Sequence, residues 1–275
     1  MKSPIHILAL AQILCCSLYS QEAAPSITVE SLPAHRIVST WSADPTAHRL
    51  SGVKSFDSDI FFGGFGGILP IVNIQSDSFL VQASAAATVY SSLTSSIDHI
   101  FALTSEYYVD GFADMKINDR IVGRVGLGHT SHHLVDDASR IYSGIIPINY
   151  SRDYIMAGGI YTMKELRSQV YLLAYYNYRF RISSQHVNGF IFQIGGEGIN
   201  YPLSNILTLF AGFDLKLRGE LGFGTSQNVQ IGIRATGEQG RTTRLAINFQ
   251  SGLENRGQFY SQRVNFVSAG WYIEL

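Results

Sequence analysis

Beyond residue 16 the chain has no cysteine; its two, Cys15 and Cys16, sit side by side near the start. With the leading segment removed, disulfides and thiol catalysis are excluded together. Charge is scarce as well: 15% of the 275 residues are charged, against roughly a quarter in average globular chains. The formal net charge is −1 and no basic stripe or RNA-reading motif is present, so nucleic acid is excluded as a partner. No uninterrupted apolar run approaches the roughly 18 residues of a membrane-spanning helix.

What the chain has in quantity is glycine and aromatics, with 26 Gly, 15 Tyr and 16 Phe. Low charge with that composition suits a β protein whose large surfaces face something other than water. Residues 1–20 read as an export signal: Met1-Lys2 is a positive start, Ile5 to Leu18 is mostly apolar, and Ser20 precedes Gln21 for cleavage. Neither cysteine follows the small residue that lipid attachment requires. An exported chain without a spanning helix is either soluble or a barrel, because only helices and closed barrels satisfy every backbone group in lipid.

From about residue 79 onward the hydrophobic period is two. In residues 206–217, Leu207, Leu209, Ala211, Phe213, Leu215 and Leu217 share a face, and Val229, Ile231, Ile233 and Ala235 repeat the pattern. In residues 167–181, Val170, Leu172, Ala174, Tyr176, Tyr178 and Phe180 oppose Gln169, Asn177, Arg179 and Arg181. Such runs match the roughly 9–11 residues of a tilted membrane strand rather than the 5–6 of a soluble one. The last apolar face, Val267, Ala269, Trp271, Ile273 and Leu275, runs to the chain end. Terminal strands of outer-membrane barrels resemble it, which implies the barrel-assembly machinery as a partner. A soluble sandwich or lipocalin-like barrel also alternates, but strand length, the export signal and the final strand favour the membrane.

The expected fold class is therefore all-β: a transmembrane antiparallel β-barrel of about 12 strands. These fall near 58–66, 68–75, 79–90, 99–113, 120–131, 144–160, 167–181, 187–199, 206–217, 226–236, 242–252 and 263–275. An even number suits a single-chain bacterial barrel. Residues 21–57 are expected to form a periplasmic extension or plug and 58–275 the barrel, located in the outer membrane among its lipids. Inward Glu106, Asp110, Arg124, Arg179, Arg181, Arg218 and Arg244 would line or plug the lumen. Gly195-Gly196-Glu197-Gly198 lies within a strand pattern and is no phosphate loop.

One stretch carries chemistry. Residues 129–137 read His-Thr-Ser-His-His-Leu-Val-Asp-Asp, at the end of a strand whose apolar face is Ile121, Gly123, Val125 and Leu127. Period two continues that face to His129 and Ser131, where an imidazole can activate a hydroxyl. Polar groups on a lipid-facing wall are costly and point to function. On the next expected strand, Ile146, Ile148 and Tyr150 read as the apolar face.

His129-Thr130-Ser131 resembles the H-x-S pair of outer-membrane phospholipase A, a twelve-stranded barrel with its site on the outer wall. The resemblance implies Ser131 as nucleophile, His129 as base, an Asn on the next strand, here Asn149, and calcium at a dimer interface. The segment is more similar to a bacterial outer-membrane family, a domain of unknown function, whose barrel carries H-x-S-S-H-L-x-D-E and N-x-S-R-E. His129, Ser131, His133, Leu134 and Asp136 match the first motif, with His132 for the second Ser and Asp137 for Glu. Asn149-Tyr150-Ser151-Arg152-Asp153 matches the second, with Asp153 for Glu.

Three readings stay open. Ser131 and His129 could hydrolyse a lipid ester, with Asn149, Asp136 or Asp137 orienting the imidazole. His129, His132, His133, Asp136 and Asp137 could bind a metal. The same His and Asp residues could merely order the rim by pairing with Arg140 or Arg152, in a porin-like, transport or structural barrel.

Overall fold

The computed structural model describes residues 26–274 except 96–97, 142–143, 183–184, 188 and 238–240. The proposed signal and Leu275 lie outside the described residues. Among the described residues fourteen strands are formed: β1 (Thr28–Ser31), β2 (Leu50–Ser55), β3 (Ile60–Gln75), β4 (Leu80–Ser95), β5 (Ile100–Lys116), β6 (Ile121–Leu134) and β7 (Tyr150–Met163) in the first half. The second half contributes β8 (Ser168–Ile182), β9 (Gln185–His186), β10 (Gly189–Pro202), β11 (Leu207–Arg218), β12 (Gly224–Thr236), β13 (Thr242–Leu253) and β14 (Arg263–Glu274).

Twelve of these, β2–β8 and β10–β14, close an antiparallel barrel, with β14 pairing β2 and β3 pairing β4. Most are 12–17 residues long. Alternate residues face opposite sides of the wall, and the polar pattern is the inverse of a soluble barrel's. Phe65, Val125, Leu127, Leu172, Ile231, Leu245 and Trp271 are exposed on the outside, while Gln82, Asp114, Asp214, Gln230 and Arg244 are buried within. This is the surface of a transmembrane β-barrel. Connections at one end are tight, at 76–79, 117–120, 164–167, 203–206 and 237–241; residues 135–149 and 254–262 are longer and lie at the other end. In bacterial barrels the long-loop end is external, and it is called the outer rim below.

The strand count matches expectation but its first members do not. The two expected runs 58–66 and 68–75 are one strand, β3, in which four glycines and Pro70 blur the alternation. The wall also begins earlier than residue 58, because Leu50–Ser55 pairs both β14 and β3. β1 pairs the short-turn end of β3, from Thr28↔Gln75 to Ser31↔Val72. β1 and β2 are thus the lower and upper pieces of one interrupted wall strand.

Between them residues 32–49 leave the wall and cross the lumen as a strap. Leu32 starts the excursion with φ 51°, a left-handed conformation unusual for a branched residue. Trp41 stacks on Tyr171 at 4.0 Å and joins Val38, Val122, Ile160 and Leu173 in an internal apolar cluster. Polar ties are denser. Asp44 meets Lys216 at 2.7 Å and accepts from Gln193 at 3.1 Å. His48 bridges Thr88 (3.0 Å) and Asp110 (2.8 Å). The Arg49 guanidinium donates to the carbonyls of Trp41, Ser42 and Asp44. Every one of these groups would be costly to bury alone, so each is held by a partner.

The outer rim is capped by the β13–β14 connection. Gln258 Nε2 donates to the His132 carbonyl (2.6 Å) and the Ile148 carbonyl (2.7 Å), and Arg218 donates to Glu254 O (2.6 Å). Gly257 is required by space: a Cβ there would stand 2.5 Å from Tyr150 and 2.6 Å from the His132 ring. Gly257→Ala is expected to lift the cap at a cost of about 1–3 kcal/mol, seen as faster proteolytic cleavage within residues 254–262. Cavities of about 100 and 120 Å³ remain between strap and cap.

Candidate functional site

β6 carries the HTSHH segment within the sheet, and the pleat sorts it. His129, Ser131 and His133 face outward; Thr130 and His132 are buried on the lumen side. The adjacent strand brings its own motif into register, with His129↔Asp153, Thr130↔Arg152 and Ser131↔Ser151. The two sequence motifs therefore meet side by side on the wall.

On the outer face His129 Nδ1 lies 2.5 Å from Asp153 Oδ1. The imidazole is about half exposed (49%) and the carboxylate less so (23%). A carboxylate accepts only, so Nδ1 carries a proton, and in the neutral ring the lone pair is on Nε2. Ser131 stands two residues further along the same outward face, about 6.7 Å up the strand. Below His129 the same face continues as exposed Leu127 and Val125, and Tyr107 packs on His133. A serine, a tautomer-fixed histidine and an aspartate are thus placed on one face, at the border between an apolar wall and the polar outer rim. The expected contact between His129 and Ser131 is not made: His129 is hydrogen-bonded to Asp153, and among the described residues no hydrogen bond joins it to Ser131, so a proton relay requires the two side chains to turn toward each other.

In the sequence Asp153 stands only as a motif residue, and Asn149 is the expected third member. Asn149 lies before β7 begins and is not part of the wall; the next residue, Tyr150, turns inward and is buried. The expectation that Tyr150 belongs to the lipid face is reversed. Asp136 and Asp137 follow the end of β6, outside its register with β7. The signal for Asp153 is register: His129 and Asp153 become neighbours only when the length of the β6–β7 connection is known.

His132 has a different occupation. It is fully buried, accepts from the Gly257 N–H on Nδ1 at 3.0 Å and lies 2.9 Å from Thr130 Oγ1 through Nε2. Gly257 is a donor, so Nε2 is the protonated nitrogen, and the ring is a neutral latch for the cap. The alternative in which His129, His132, His133, Asp136 and Asp137 share one metal is not assembled, because His132 lies on the other side of the wall from His129 and His133. Among the described residues no group of three His, Cys, Asp or Glu can hold a metal ion. Calcium, implied by the phospholipase resemblance, takes six to eight oxygens. On the outward face the neighbouring strands set Ser151, Asp153 and Tyr107 beside Ser131 and His129, and the one carboxylate among them is engaged by His129 and by Arg179 at 3.7 Å. Among the described residues, the face around Ser131 therefore does not assemble the oxygen shell that calcium requires.

Arg152 faces inward, near the rings of Tyr154 and Phe180. Arg124 forms a two-point contact with Asp114 at 2.7 and 2.8 Å, and Arg244 pairs with Glu274. Arg218 meets Glu220 at 2.7 Å. These inward charges form the expected internal network, but Arg179 and Arg181 do not join it. The β7–β8 register jumps from Asp153↔Arg179 to Tyr154↔Asn177, a bulge at Tyr178. Past it the alternation is reset, so Phe180 is fully buried while Arg179 and Arg181 are exposed outside.

The fold and this wall site define a membrane β-barrel with a polar cluster on its lipid-facing surface. No family model matches the chain, and no curated protein matches it. Solved barrels resemble it distantly. The β domain of the Bordetella autotransporter BrkA shows 13% identity over 83% of this chain and 97% of that one, at a TM-score of 0.43. The translocator domain of the autotransporter NalP from Neisseria meningitidis shows 10% identity over 98% and 95%, with TM-score 0.39. OmpT of Vibrio cholerae shows 9% identity over 86% and 98%, again at 0.39. Likeness at this level adds nothing to the chemistry of the wall site.

Proposed function

We propose that this chain is an integral outer-membrane barrel that hydrolyses acyl esters of membrane lipids, with Ser131 as nucleophile, His129 as general base and Asp153 as the group orienting it. The observation that supports this most is the His129 Nδ1–Asp153 Oδ1 contact of 2.5 Å on the outer wall, on the face that also carries Ser131. The outer-membrane location rests on the long strands, the apolar exterior and the polar lumen. Chemically, Ser131 Oγ adds to the ester carbonyl as Nε2 of His129 takes its proton. The imidazolium, held by Asp153, then protonates the departing glycerol oxygen. A water activated by the same nitrogen releases the fatty acid and restores Ser131. An apolar wall immediately below suits acyl chains that never leave the membrane.

The test is direct. Purified barrel in phospholipid–detergent micelles is expected to release fatty acid, and a fluorophosphonate probe to label Ser131, identified by peptide mass. Absence of both release and labelling would overturn the hydrolase.

A second reading is favoured by the filled lumen: a non-enzymatic structural or transport barrel whose strap and cap must move for anything to pass. It predicts no fatty-acid release, with conductance in planar bilayers that is insensitive to Ser131→Ala.

A further inference from the structure

We propose that Arg179 and Arg181 form a binding site for the phosphate of an anionic phospholipid, and that this site seats the lipid over Ser131. The second clause rests on the hydrolase reading; the binding site does not.

The bulge at Tyr178 is the device that creates it. With unbroken alternation, Phe180 would face lipid and both arginines the lumen. The register jump turns Phe180 inward, where it packs edge-on against Tyr150 at 5.3 Å, and turns two guanidinium groups outward on a single strand. Arginine on a barrel's lipid face is destabilising at the membrane centre and nearly neutral at the interface. These two stand at the outer-rim end of β8, just beyond exposed Tyr176 and Tyr178, the aromatics that mark the interface. The guanidiniums are therefore level with headgroups.

The charge there is unbalanced. Asp153 is the acidic partner of Arg179, at 3.7 Å, and its nearer contact is with His129. Arg181 has no acidic partner among the described residues, and its register neighbours are Ser151 on β7 and His186 on β9. Two outward guanidiniums beside a single carboxylate, which only Arg179 and His129 contact, leave a cationic patch suited to two-point recognition of phosphate.

Register then ties the patch to the serine. Arg181, Ser151 and Ser131 form one row across three adjacent strands. Two strand spacings separate Arg181 from Ser131, about 10 Å. A phospholipid whose phosphate is held over β8 therefore presents its glycerol esters toward β6. Zwitterionic phosphatidylcholine offers the same phosphate, but with a quaternary ammonium that repels the second guanidinium.

The experiment uses the Ser131→Ala protein, which cannot turn over, so binding is read independently of hydrolysis. Detergent-purified protein is offered equimolar phosphatidylglycerol and phosphatidylcholine, and retained lipid is counted by native mass spectrometry. Phosphatidylglycerol is expected in excess by about tenfold, falling to near parity in R179Q/R181Q and to an intermediate ratio in R181Q alone. Heat-modifiable gel migration identifies the folded protein, and R179K/R181K, which keeps the charge but not the fork, is expected to recover only part of the preference. Equal retention of the two lipids, an unchanged ratio in R179Q/R181Q, or complete displacement by millimolar inorganic phosphate would overturn the site. Fatty-acid release by the wild type is scored separately. Selective retention without release would sink the hydrolase and leave the phosphate site standing, while release without selectivity would do the reverse.

Discussion

His129→Ala is expected to lower fatty-acid release by roughly 10³-fold or more, and Asp153→Asn by roughly 10²–10⁴-fold, with the barrel still folded. The two effects differ in origin. Without His129 nothing accepts the Ser131 proton. In Asp153→Asn the introduced amide would still hydrogen-bond the ring, but it can donate to Nδ1 and so stabilise the tautomer that leaves Nε2 protonated and useless as a base. Asn149→Ala discriminates: with Asn149 ahead of β7 and outside the wall, release is expected to stay at the wild-type level. The measurement is initial rate of titrated fatty acid under saturating micellar substrate. If Asn149→Ala were the damaging change and Asp153→Asn the silent one, the assignment of the third residue would be wrong. Double variants are expected to lose little more than His129→Ala alone, since residues that act as a unit are not additive.

The second large effect lies inside the barrel. Asp44→Ala removes the carboxylate that meets Lys216 at 2.7 Å and also accepts from Thr46 and Gln193. Lys216 then keeps its bond to Thr46 Oγ1 and the more distant pull of Asp214, and breaking a buried ion pair by removing one partner costs about 3–5 kcal/mol. The variant is expected to lose about that much unfolding free energy, read as a lower denaturant midpoint at unchanged slope, and its strap to loosen, producing conductance flicker absent from the wild type. Asp44→Ala combined with Lys216→Met, which removes the remaining charge, is expected to recover part of the loss. Unchanged denaturation of Asp44→Ala would show that the strap contributes nothing to holding the barrel.

Most of the barrel is legible because membrane strands are long and their alternation persists: Leu207 to Leu217 or Val229 to Ala235 can be read as wall from residue types alone. What fails is local. Leu-Ser-Gly-Val-Lys-Ser, the β2 strand, alternates too weakly to be recognised, and its place in the wall comes from pairing with β14 and β3. On β8 the sequence pattern holds through Tyr178 and is inverted from Arg179 on, because a bulge changes which side every later residue faces. That one residue moves Arg179 and Arg181 from the lumen to the outside. The site is half legible. His129 and Ser131 follow from period two on β6, whereas Asp153 requires cross-strand register and His132 needs the cap to explain it. A run of histidines looks like one cluster in sequence; a strand divides it between two solvents.

The interrupted first strand has a consequence for how this molecule can be made and opened. Residues 32–49 are stitched into the wall at both ends, through β1 on one side and β2 on the other. A segment fastened twice cannot be expelled like a cork. It must be enclosed when the last seam, between β14 and β2, is zipped, so closure of the cylinder and filling of its bore are one event. For the same reason any later opening is a rearrangement in place, beginning at the four paired residues of β1, the fastening with the fewest bonds to undo.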